Sequence, residues 1–327
     1  MYVVTGGAGF IGSNLVAALS ERGHEVVVVD WLRHDARWRN LAKHEIRDLI
    51  APDALREWLP RHERAIDTVI HMGANSSTTE SDVDLLFRQN SRATFDLLDW
   101  CTHSGKRLIY ASSAATYGDG SRGFDDDASC EALAQLRPLN AYGWSKHVVD
   151  QRIARVRLQG GALPPQCVGL KFFNVYGPNE YHKGSMQSVV ARNFPPVQRG
   201  EPVRLFRSGR PDYTDGGQLR DFVYVADCVA VMLWLLETPQ VSGLFNVGSG
   251  RARSWLDLAT ALFSAAQRPA RIEFIDLPAE LRDKYQYFTE ASMTRLRAAG
   301  YSGDFTSLEA GVADYVRNFL ARPDPYR

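Results

Sequence analysis

The sequence contains few cysteines, and their spacing is irregular. Four cysteines occur among 327 residues, with no CxxC pair and no histidine cluster beside them. This pattern argues against both a disulfide framework and a structural zinc site. We therefore interpret the cysteines as free thiols in a reducing compartment, and we predict no metal site.

The sequence also lacks net charge and any long apolar run. Its 38 basic residues balance its 38 acidic residues, so no field of the whole molecule attracts nucleic acid or an anionic membrane. The first residues, MYVVTGGAGFIG, lack the basic region and apolar core of a signal peptide, and no run of about 18 apolar residues follows. We predict a cytoplasmic protein without nucleic-acid or membrane partners.

Short β-branched runs alternate with longer helical patterns in the first half of the chain. The order strand, helix, strand predicts a parallel, doubly wound α/β sheet. The runs that are typical of buried strands are YVVT at 2–5, EVVVVD at 25–30, DTVIHM at 67–72, RLIYASS at 107–113 and CVGLKFF at 167–173.

A glycine-rich turn follows the first of these strands. TGGAGFIG at 5–12 contains Gly6, Gly9 and Gly12, where glycines permit a tight turn and a helix N-terminus offers free N–H groups to a pyrophosphate. Asp30 ends the second strand, where a carboxylate accepts hydrogen bonds from an adenosine ribose and so suggests NAD. The pattern predicts a Rossmann-type dinucleotide site.

The loop after the second strand leaves the choice of dinucleotide open. Arg33, Arg37 and Arg39 lie in it, and a guanidinium there can pair with the 2′-phosphate of NADP. A charged stretch of this kind is also typical of a solvated loop. The residues alone leave NAD and NADP nearly even.

A second loop, GANSSTTE at 73–80, is rich in hydroxyl groups. Ser77 and Glu80 have the spacing of a helix capping box, which needs no ligand. Alternatively, Gly73 and Ala74 pass beneath the nicotinamide ribose while the hydroxyls beyond them face a substrate. The two interpretations are compatible.

The alternation of strands and helices loosens after residue 173. Polar loops follow, including 207–218, whose role the sequence leaves open, and then 220–237 returns to a strand and an apolar helix with Asp227 as the predicted N-cap. We predict a dinucleotide-binding domain from 1–173 plus 219–248, and a smaller, discontinuous α/β substrate-binding domain from 174–218 plus 249–327.

A tyrosine and a lysine stand four residues apart in YGWSK. Tyr142 and Lys146 therefore share one face of a helix, and Ser113 closes the strand RLIYASS. A phenol has a pKa of about 10, so it needs a shift of roughly 3 units to act as a base near neutrality. A nearby ammonium and the positive nicotinamide ring of a cofactor supply such a shift.

The chain resembles the extended short-chain dehydrogenase/reductase family of nucleotide-sugar epimerases, dehydratases and decarboxylases. The motifs that carry the resemblance span nearly the whole chain, and they are TGGAGFIG, SSAATYG, YGWSK, FFNVYGP and RDFVYVAD. The resemblance implies that Ser113, Tyr142 and Lys146 form a catalytic triad that acts by hydride chemistry at a sugar carbinol. Ala114 and Ala115 stand where the family's 4,6-dehydratases carry an Asp-Glu pair, so dehydration is disfavoured.

Further stretches resemble the branch of that family that inverts a carbinol outside the sugar ring. They include NEYHKGSM, LFRSGRPDYTDGGQLRDFVYV and YQYFTEASMTRLRAAGY. This resemblance implies interconversion of ADP-D-glycero-β-D-manno-heptose and its L-glycero epimer through a C6″ ketone, for lipopolysaccharide core heptose biosynthesis. It also implies tightly bound NADP in preference to NAD, and a homo-oligomer such as a pentamer.

The resemblance gives Lys183, in NEYHKGSM, the role of a second acid/base. Two hydride transfers to opposite faces place the oxygen in two positions, and one group can hardly reach both within about 2.6–3.2 Å. The alternative is that Lys183 only pairs with a diphosphate oxygen.

Other site residues follow from the same resemblance. The implied cofactor contacts, besides Tyr142, Lys146 and the residues already named, are Phe10, Ile11, Trp31, Asn75, Ser76, Asn90 and Val175. The implied substrate contacts, besides Ser113 and Lys183, are Asn174, Ser185, Arg192, Phe206, Arg220 and Tyr285. Arg220 is the implied diphosphate clamp; the alternatives are a salt bridge of Arg220 to Asp221 or to another acid and, for Tyr285, core packing.

Two other functions stay open at this point. A nucleotide-sugar 4-epimerase of the same fold would need the tyrosine but not Lys183. A non-catalytic regulator that binds a dinucleotide would need neither; such proteins commonly lose the catalytic tyrosine or lysine, whereas Tyr142 and Lys146 are both present in register here.

Overall fold

The computed structural model of the chain describes residues 1–278 and 285–327. Its strands are β1 (Tyr2–Thr5), β2 (Val26–Val29), β3 (Asp48–Ile50), β4 (Thr68–His71), β5 (Arg107–Ser113), β6 (Cys167–Phe172), β7 (Asn174–Tyr176), β8 (Val203–Phe206), β9 (Leu219–Tyr224), β10 (Gly243–Val247), β11 (Ala252–Ser254) and β12 (Ile272–Ile275). Its α-helices are α1 (Phe10–Ser20), α2 (Leu55–His62), α3 (Val83–Leu86), α4 (Ala93–Ser104), α5 (Cys130–Gln135), α6 (Ala141–Leu158), α7 (Val189–Gln198), α8 (Val225–Glu237), α9 (Trp255–Ala265), α10 (Thr294–Ala298) and α11 (Leu308–Tyr315).

Seven strands form one wholly parallel sheet in the order β3-β2-β1-β4-β5-β6-β10. The strand order reverses between β1 and β4, and ligands of such sheets bind in the crevice outside the carboxyl ends at this point. Apolar side chains from α1 and α8 cover one face of the sheet. Side chains from α2, α4 and α6 cover the other, so the predicted doubly wound α/β fold is confirmed.

The predicted strands of the parallel sheet are found within two residues of their predicted ends. β1 and β5 have the predicted bounds, and the other predicted strands of this sheet differ by one or two residues at their ends. The three-residue edge strand β3 was not predicted, because two of its residues are exposed and it carries no apolar run.

Segments after β6 build a smaller part of the molecule. β7, β9 and β11 form a three-stranded sheet, and β8 pairs with β12. Residues of α7, α9 and α11 share an apolar cluster with β8 and β9. Within the segment 219–248, α8 and β10 return to the seven-stranded sheet, whereas β9 belongs to the three-stranded one. The division into two domains stays a prediction.

Two predicted helix caps are wrong. α8 begins at Val225 after Tyr224, and the carboxylate of Asp227, inside the first turn, instead accepts hydrogen bonds from the backbone N–H and hydroxyl of Thr306 at 2.9 and 2.8 Å. Ser77 and Glu80 form no capping box, since α3 begins after Asp82, whose carboxylate caps it.

The cysteines are unpaired, and three of the four are buried. In residues 1–278 and 285–327, no helix combines the length and apolar character needed to cross a membrane. The same residues contain no group of three or more potential metal ligands.

Candidate active site

The glycine-rich turn brings two loops into backbone contact at the switch point of the sheet. Gly6 has a φ of +65°, and a Cβ placed there would lie 2.5 Å from the backbone nitrogen of Gly73. A Cβ on Gly12 would collide with the carbonyl oxygen of Gly6. Side chains are therefore excluded, which leaves a backbone-lined cradle between β1 and α1.

The N-terminus of α1 is open toward this cradle. Gly9 is its N-cap, and within the described part of the chain no side chain caps it and no acidic residue occupies its first turn. The first N–H groups of the helix, at Phe10 and Ile11, thus lack an intrahelical partner. Together with the helix dipole, they fit a pyrophosphate.

Asp30 and Arg37 lie where β2 ends. The Asp30 carboxylate accepts hydrogen bonds from the backbone N–H of Ala8 at 3.0 Å and of Trp31 at 2.8 Å. Burial raises the pKa of Asp30, and these bonds and Arg37 oppose that rise. Arg37 holds Asp35 through two nitrogens and comes within 3.7 Å of Asp30.

The other two arginines of this loop point elsewhere. Arg33 and Arg39 are exposed; Arg33 lies 6.0 Å from the ring of Trp31, and Arg39 5.6 Å from that of Trp38. Of the three arginines, the half-buried Arg37 is the one placed beside the carboxylate of Asp30, directly after β2.

Asn90 ties the second loop to α6, the helix that carries Tyr142 and Lys146. It lies in a π-helical segment, Phe87–Arg92, and is fully buried. Its amide oxygen accepts from the backbone N–H of Asn75 at 2.8 Å, and its amide nitrogen donates to the hydroxyl of Ser145 at 2.9 Å. Ser145 in turn donates to the carbonyl of Tyr142 at 2.7 Å. The loop that contains Ala74 and Ser76 is therefore fixed relative to α6.

The predicted triad comes together at the carboxyl end of β5. Tyr142 lies in the first turn of α6, and Lys146 is 2% exposed and donates to the carbonyl of Ala111 at 2.9 Å. Burial lowers the pKa of Lys146 to about 8, against the pull of Asp150. Burial raises the pKa of Tyr142, and the neighbouring Ser113 hydroxyl opposes that rise.

Lys183 lies beside α1, the helix that begins at the glycine-rich turn. Its segment is anchored by the buried Glu180, whose carboxylate accepts from the backbone N–H and hydroxyl of Ser188 at 2.5 and 2.6 Å. The Lys183 ammonium sits 5.1 Å from the ring centroid of Phe10, the first residue of α1. Burial lowers the pKa of Lys183, and Glu180 opposes it. The lowered pKa is the direction that an acid/base role requires.

Arg220 is a buried guanidinium on β9. It is 7% exposed and donates to the backbone carbonyls of Leu219 and Gln286. The predicted alternative, an ion pair with Asp221, is wrong, because Asp221 faces the other side of the strand and accepts backbone N–H groups, including that of Ala291 at 2.9 Å. Among the described residues, Arg220 has no carboxylate partner. Burial lowers its pKa.

The remaining predicted substrate residues fall into two groups. Tyr285 packs 6.1 Å from the ring of Phe206 and 5.3 Å from the Arg220 guanidinium, so it lines the same region as Arg220. Asn174, Ser185 and Arg192 are exposed, and Arg192 donates to the carbonyl of Ser185 at 3.2 Å. Val175, a predicted cofactor contact, follows Asn174 on β7 and is half-buried.

Comparison with known proteins agrees with this geometry. Residues 2–248 match the NAD dependent epimerase/dehydratase family. The chain belongs to this family. An ADP-L-glycero-D-manno-heptose-6-epimerase from Nitratidesulfovibrio vulgaris strain DP4 is 51% identical over 330 residues, with 100% of both chains covered. A protein of the same name from Fusobacterium nucleatum is 46% identical over 335 residues, again with 100% of both covered.

Solved structures of epimerases share the fold. The ADP-L-glycero-D-manno-heptose-6-epimerase of Helicobacter pylori matches with a TM-score of 0.79 at 29% identity, covering 97% of this chain and 95% of that one. The UDP-glucose 4-epimerase of Thermus thermophilus, in complex with NAD, matches with a TM-score of 0.73 at 26% identity, covering 95% and 96%. The predicted family resemblance is confirmed.

In this member of the epimerase/dehydratase family, the sequence analysis missed a buried ion pair. Lys171 on β6 and Asp150 on α6 have fully buried side chains, with nitrogen and oxygen 3.0 Å apart. The available signals were a lysine inside the apolar run CVGLKFF and an aspartate four residues beyond Lys146. Neither signal alone predicts the pair, because Lys171 lies on a strand and Asp150 on a helix, and each gives no local sign of the other.

Proposed function

We propose that the chain interconverts ADP-D-glycero-β-D-manno-heptose and ADP-L-glycero-β-D-manno-heptose. The observation that carries this proposal is full-length identity of 51% and 46% to two epimerases of that name. It is supported by a site that combines a tyrosine, a buried lysine of the same helix and a second lysine from a separate segment.

We propose NADP as the cofactor. A nicotinamide dinucleotide, when bound, takes a hydride from the substrate and returns it. The cradle of Gly6 and Gly12 and the uncapped start of α1 fit its pyrophosphate. Arg37, half-buried beside Asp30, supports binding of a 2′-phosphate.

Tyr142 and Lys146 act as one acid/base unit in the proposed mechanism. Tyr142 accepts the proton of the C6″ hydroxyl as that carbon is oxidised to a ketone. Lys146, held by the carbonyl of Ala111, supplies a positive charge that favours the phenolate. Ser113, at the end of β5, is in place to hydrogen-bond the reacting oxygen.

Lys183 serves the second position of that oxygen. Reduction of the ketone on its opposite face would place the oxygen in a second position. There a group other than Tyr142 would have to supply the proton that restores the hydroxyl. Lys183 has the lowered pKa and the partial burial that suit it to this exchange. Its contact with Phe10 also supports the alternative, pairing with a diphosphate oxygen, because α1 begins there.

Arg220 binds the substrate diphosphate in this proposal. A buried guanidinium that uses only backbone carbonyls retains N–H donors that a phosphate can accept. Tyr285, packed against Arg220 and Phe206, closes the nucleotide end.

The test is proton NMR of ADP-D-glycero-β-D-manno-heptose with catalytic amounts of the purified protein and no added nicotinamide. We expect wild type to produce the L-glycero epimer and Lys183→Met to lose most of that activity. Lys106→Met, just before the amino end of β5 and away from the site, is the matched control and should match wild type.

Each other outcome points to a different function. An unchanged substrate spectrum, even with NADP and NAD added, would refute the heptose assignment. Turnover of a UDP-hexose instead would indicate a 4-epimerase, and cofactor binding without turnover of any nucleotide sugar would indicate a regulator. Full activity of Lys183→Met would support the epimerase function but would assign Lys183 to pairing with a diphosphate oxygen instead of to catalysis.

A further inference from the structure

The buried pair Lys171 and Asp150 lies directly behind the proposed catalytic residues. Tyr142, Lys146 and Asp150 follow one another at intervals of four residues on α6, so Asp150 is one turn beyond Lys146 on the same face. Lys171 reaches this face from β6, the neighbour of β5 in the sheet. None of the functions proposed above uses the pair.

Asp150 fastens α6 to β5. Its carboxylate accepts hydrogen bonds from the hydroxyl of Ser112 at 2.8 Å and of Tyr110 at 3.1 Å. Between these two residues, the carbonyl of Ala111 accepts from Lys146. Three consecutive residues of β5 thus hold two successive turns of the catalytic helix.

Lys171 extends this network to the catalytic serine. Its ammonium donates to Asp150 at 3.0 Å and to the hydroxyl of Thr116 at 2.5 Å, and it lies 4.6 Å from the ring of Tyr117. Thr116 donates to the carbonyl of Ser113 at 2.8 Å. A continuous chain of contacts therefore runs from Ser113 through Thr116 and Lys171 to the helix that carries Tyr142.

Joining these elements through a buried ion pair costs free energy. Desolvation of two charges can exceed their mutual attraction, and a buried ion pair often contributes no more stability than apolar residues of the same size. Unlike an apolar contact, however, it fixes distances and directions, because Lys171 has two defined polar partners and both oxygens of Asp150 have at least one.

We propose that Lys171 and Asp150 are positioning residues, which hold Ser113 and the Tyr142–Lys146 face of α6 at the separation that the reaction needs. This inference rests on the proposed function, since it takes these three residues as the catalytic group. The other titratable groups near the pair are Lys146 and His147 on α6, Tyr110 on β5 and Tyr117 in the 3₁₀ turn after β5.

The decisive variant is Thr116→Val, which keeps the side-chain shape and removes only the link between Lys171 and Ser113. Misplacing a catalytic group by a fraction of an ångström lowers kcat, so we expect a loss of about tenfold, with KM and bound cofactor within about twofold of wild type. Lys171→Met should lower kcat further, and Lys171→Arg should recover part of the loss because it restores the charge.

Asp227→Asn is the matched control. Asp227 is also a buried aspartate with bonds to one threonine, but it lies on α8, outside the network. It should lower thermal stability without lowering kcat.

The outcomes separate this inference from the proposed function. Wild-type protein that leaves the ADP-heptose unchanged refutes the function, whatever the variants do. Active wild type with an equal kcat for Thr116→Val refutes the positioning role. The positioning role is also refuted if Thr116→Val loses kcat only because it loses bound cofactor or folded protein, and if Asp227→Asn loses kcat equally.

Discussion

The buried Lys171 of the seven-stranded sheet differs from the cations Lys183 and Arg220 of the smaller part in how the protein balances its charge. Lys171 pairs with the carboxylate of Asp150 at 3.0 Å and donates to the hydroxyl of Thr116 at 2.5 Å. Lys183 lies over the ring of Phe10, and Arg220 over that of Tyr285, with only backbone carbonyls as acceptors of Arg220. Neither has a carboxylate bonded to its side chain among the described residues.

The difference follows from what each part has to do. A cation that the protein pairs with a buried carboxylate fixes geometry and needs no ligand to balance its charge. A cation with spare donors is unfavourable until an anion arrives, so its burial is compensated by binding rather than by folding. We infer that the sheet holds Ser113, Tyr142 and Lys146, while the smaller part recognises the charged substrate and adds Lys183 as the second acid/base.

Removing Lys146 should have the largest effect. Lys146→Met takes away the charge that favours the Tyr142 phenolate, so kcat should fall by about 10²- to 10⁴-fold. Steady-state kinetics with the ADP-heptose measures the loss. Lys106→Met is the control, and a kcat for Lys146→Met near that of wild type would remove Lys146 from the mechanism.

The free energy of unfolding should distinguish Lys171, which has a carboxylate partner, from Arg220 most directly. Lys171→Met leaves the carboxylate of Asp150 buried without its partner, which should cost about 3–5 kcal/mol of unfolding free energy. Arg220→Met removes a cation with no carboxylate partner, so it should cost less than about 1 kcal/mol. Urea unfolding of both variants without ligand gives the comparison.

The double variant Lys171→Met with Asp150→Leu checks the cause of that cost. Because it removes both charges, it should recover most of the stability lost in Lys171→Met. Equal costs for Lys171→Met and Arg220→Met would contradict the distinction between the two parts.

The sequence predicted the sheet side of the molecule well because its signals are local. Gly12 is needed for its close contact with Gly6 inside one βαβ unit, and short apolar runs identify β1 and β5 to their end residues. Tyr142 and Lys146 share a helix face by spacing alone. The catalytic roles of these residues remain predictions, although the structure places them together.

The errors come from contacts between segments that are distant in sequence. Asp227 bonds Thr306 instead of capping α8, and no local pattern could show this. Lys171 and Asp150 pair between a strand and a helix, so the sequence shows each of them alone. The Arg220–Asp221 alternative had a local reason to fail, since successive residues of a strand face opposite sides.

The pH dependence of stability should reveal how Lys146 is buried. Its pKa falls from 10.5 to about 8 on folding, so between these values the unfolded chain binds more protons than the folded one. Stability relative to Lys146→Met should therefore rise with pH across this window, by about 3 kcal/mol in total. Thermal or urea unfolding from pH 7 to 10.5 measures it, and a flat difference would show that Lys146 stays charged in the folded protein.

Arg220→Met should give the smallest effect, and one confined to binding. Loss of charge-assisted hydrogen bonds of about 1.5–3 kcal/mol should raise KM for the ADP-heptose by about ten- to a hundredfold, with kcat within about threefold of wild type. Arg192→Met is the matched control, because Arg192 is exposed and bonds only the carbonyl of Ser185; it should raise KM less. If Arg220→Met instead lowers kcat and leaves KM unchanged, Arg220 acts on the reaction itself, and its assignment to substrate recognition is wrong.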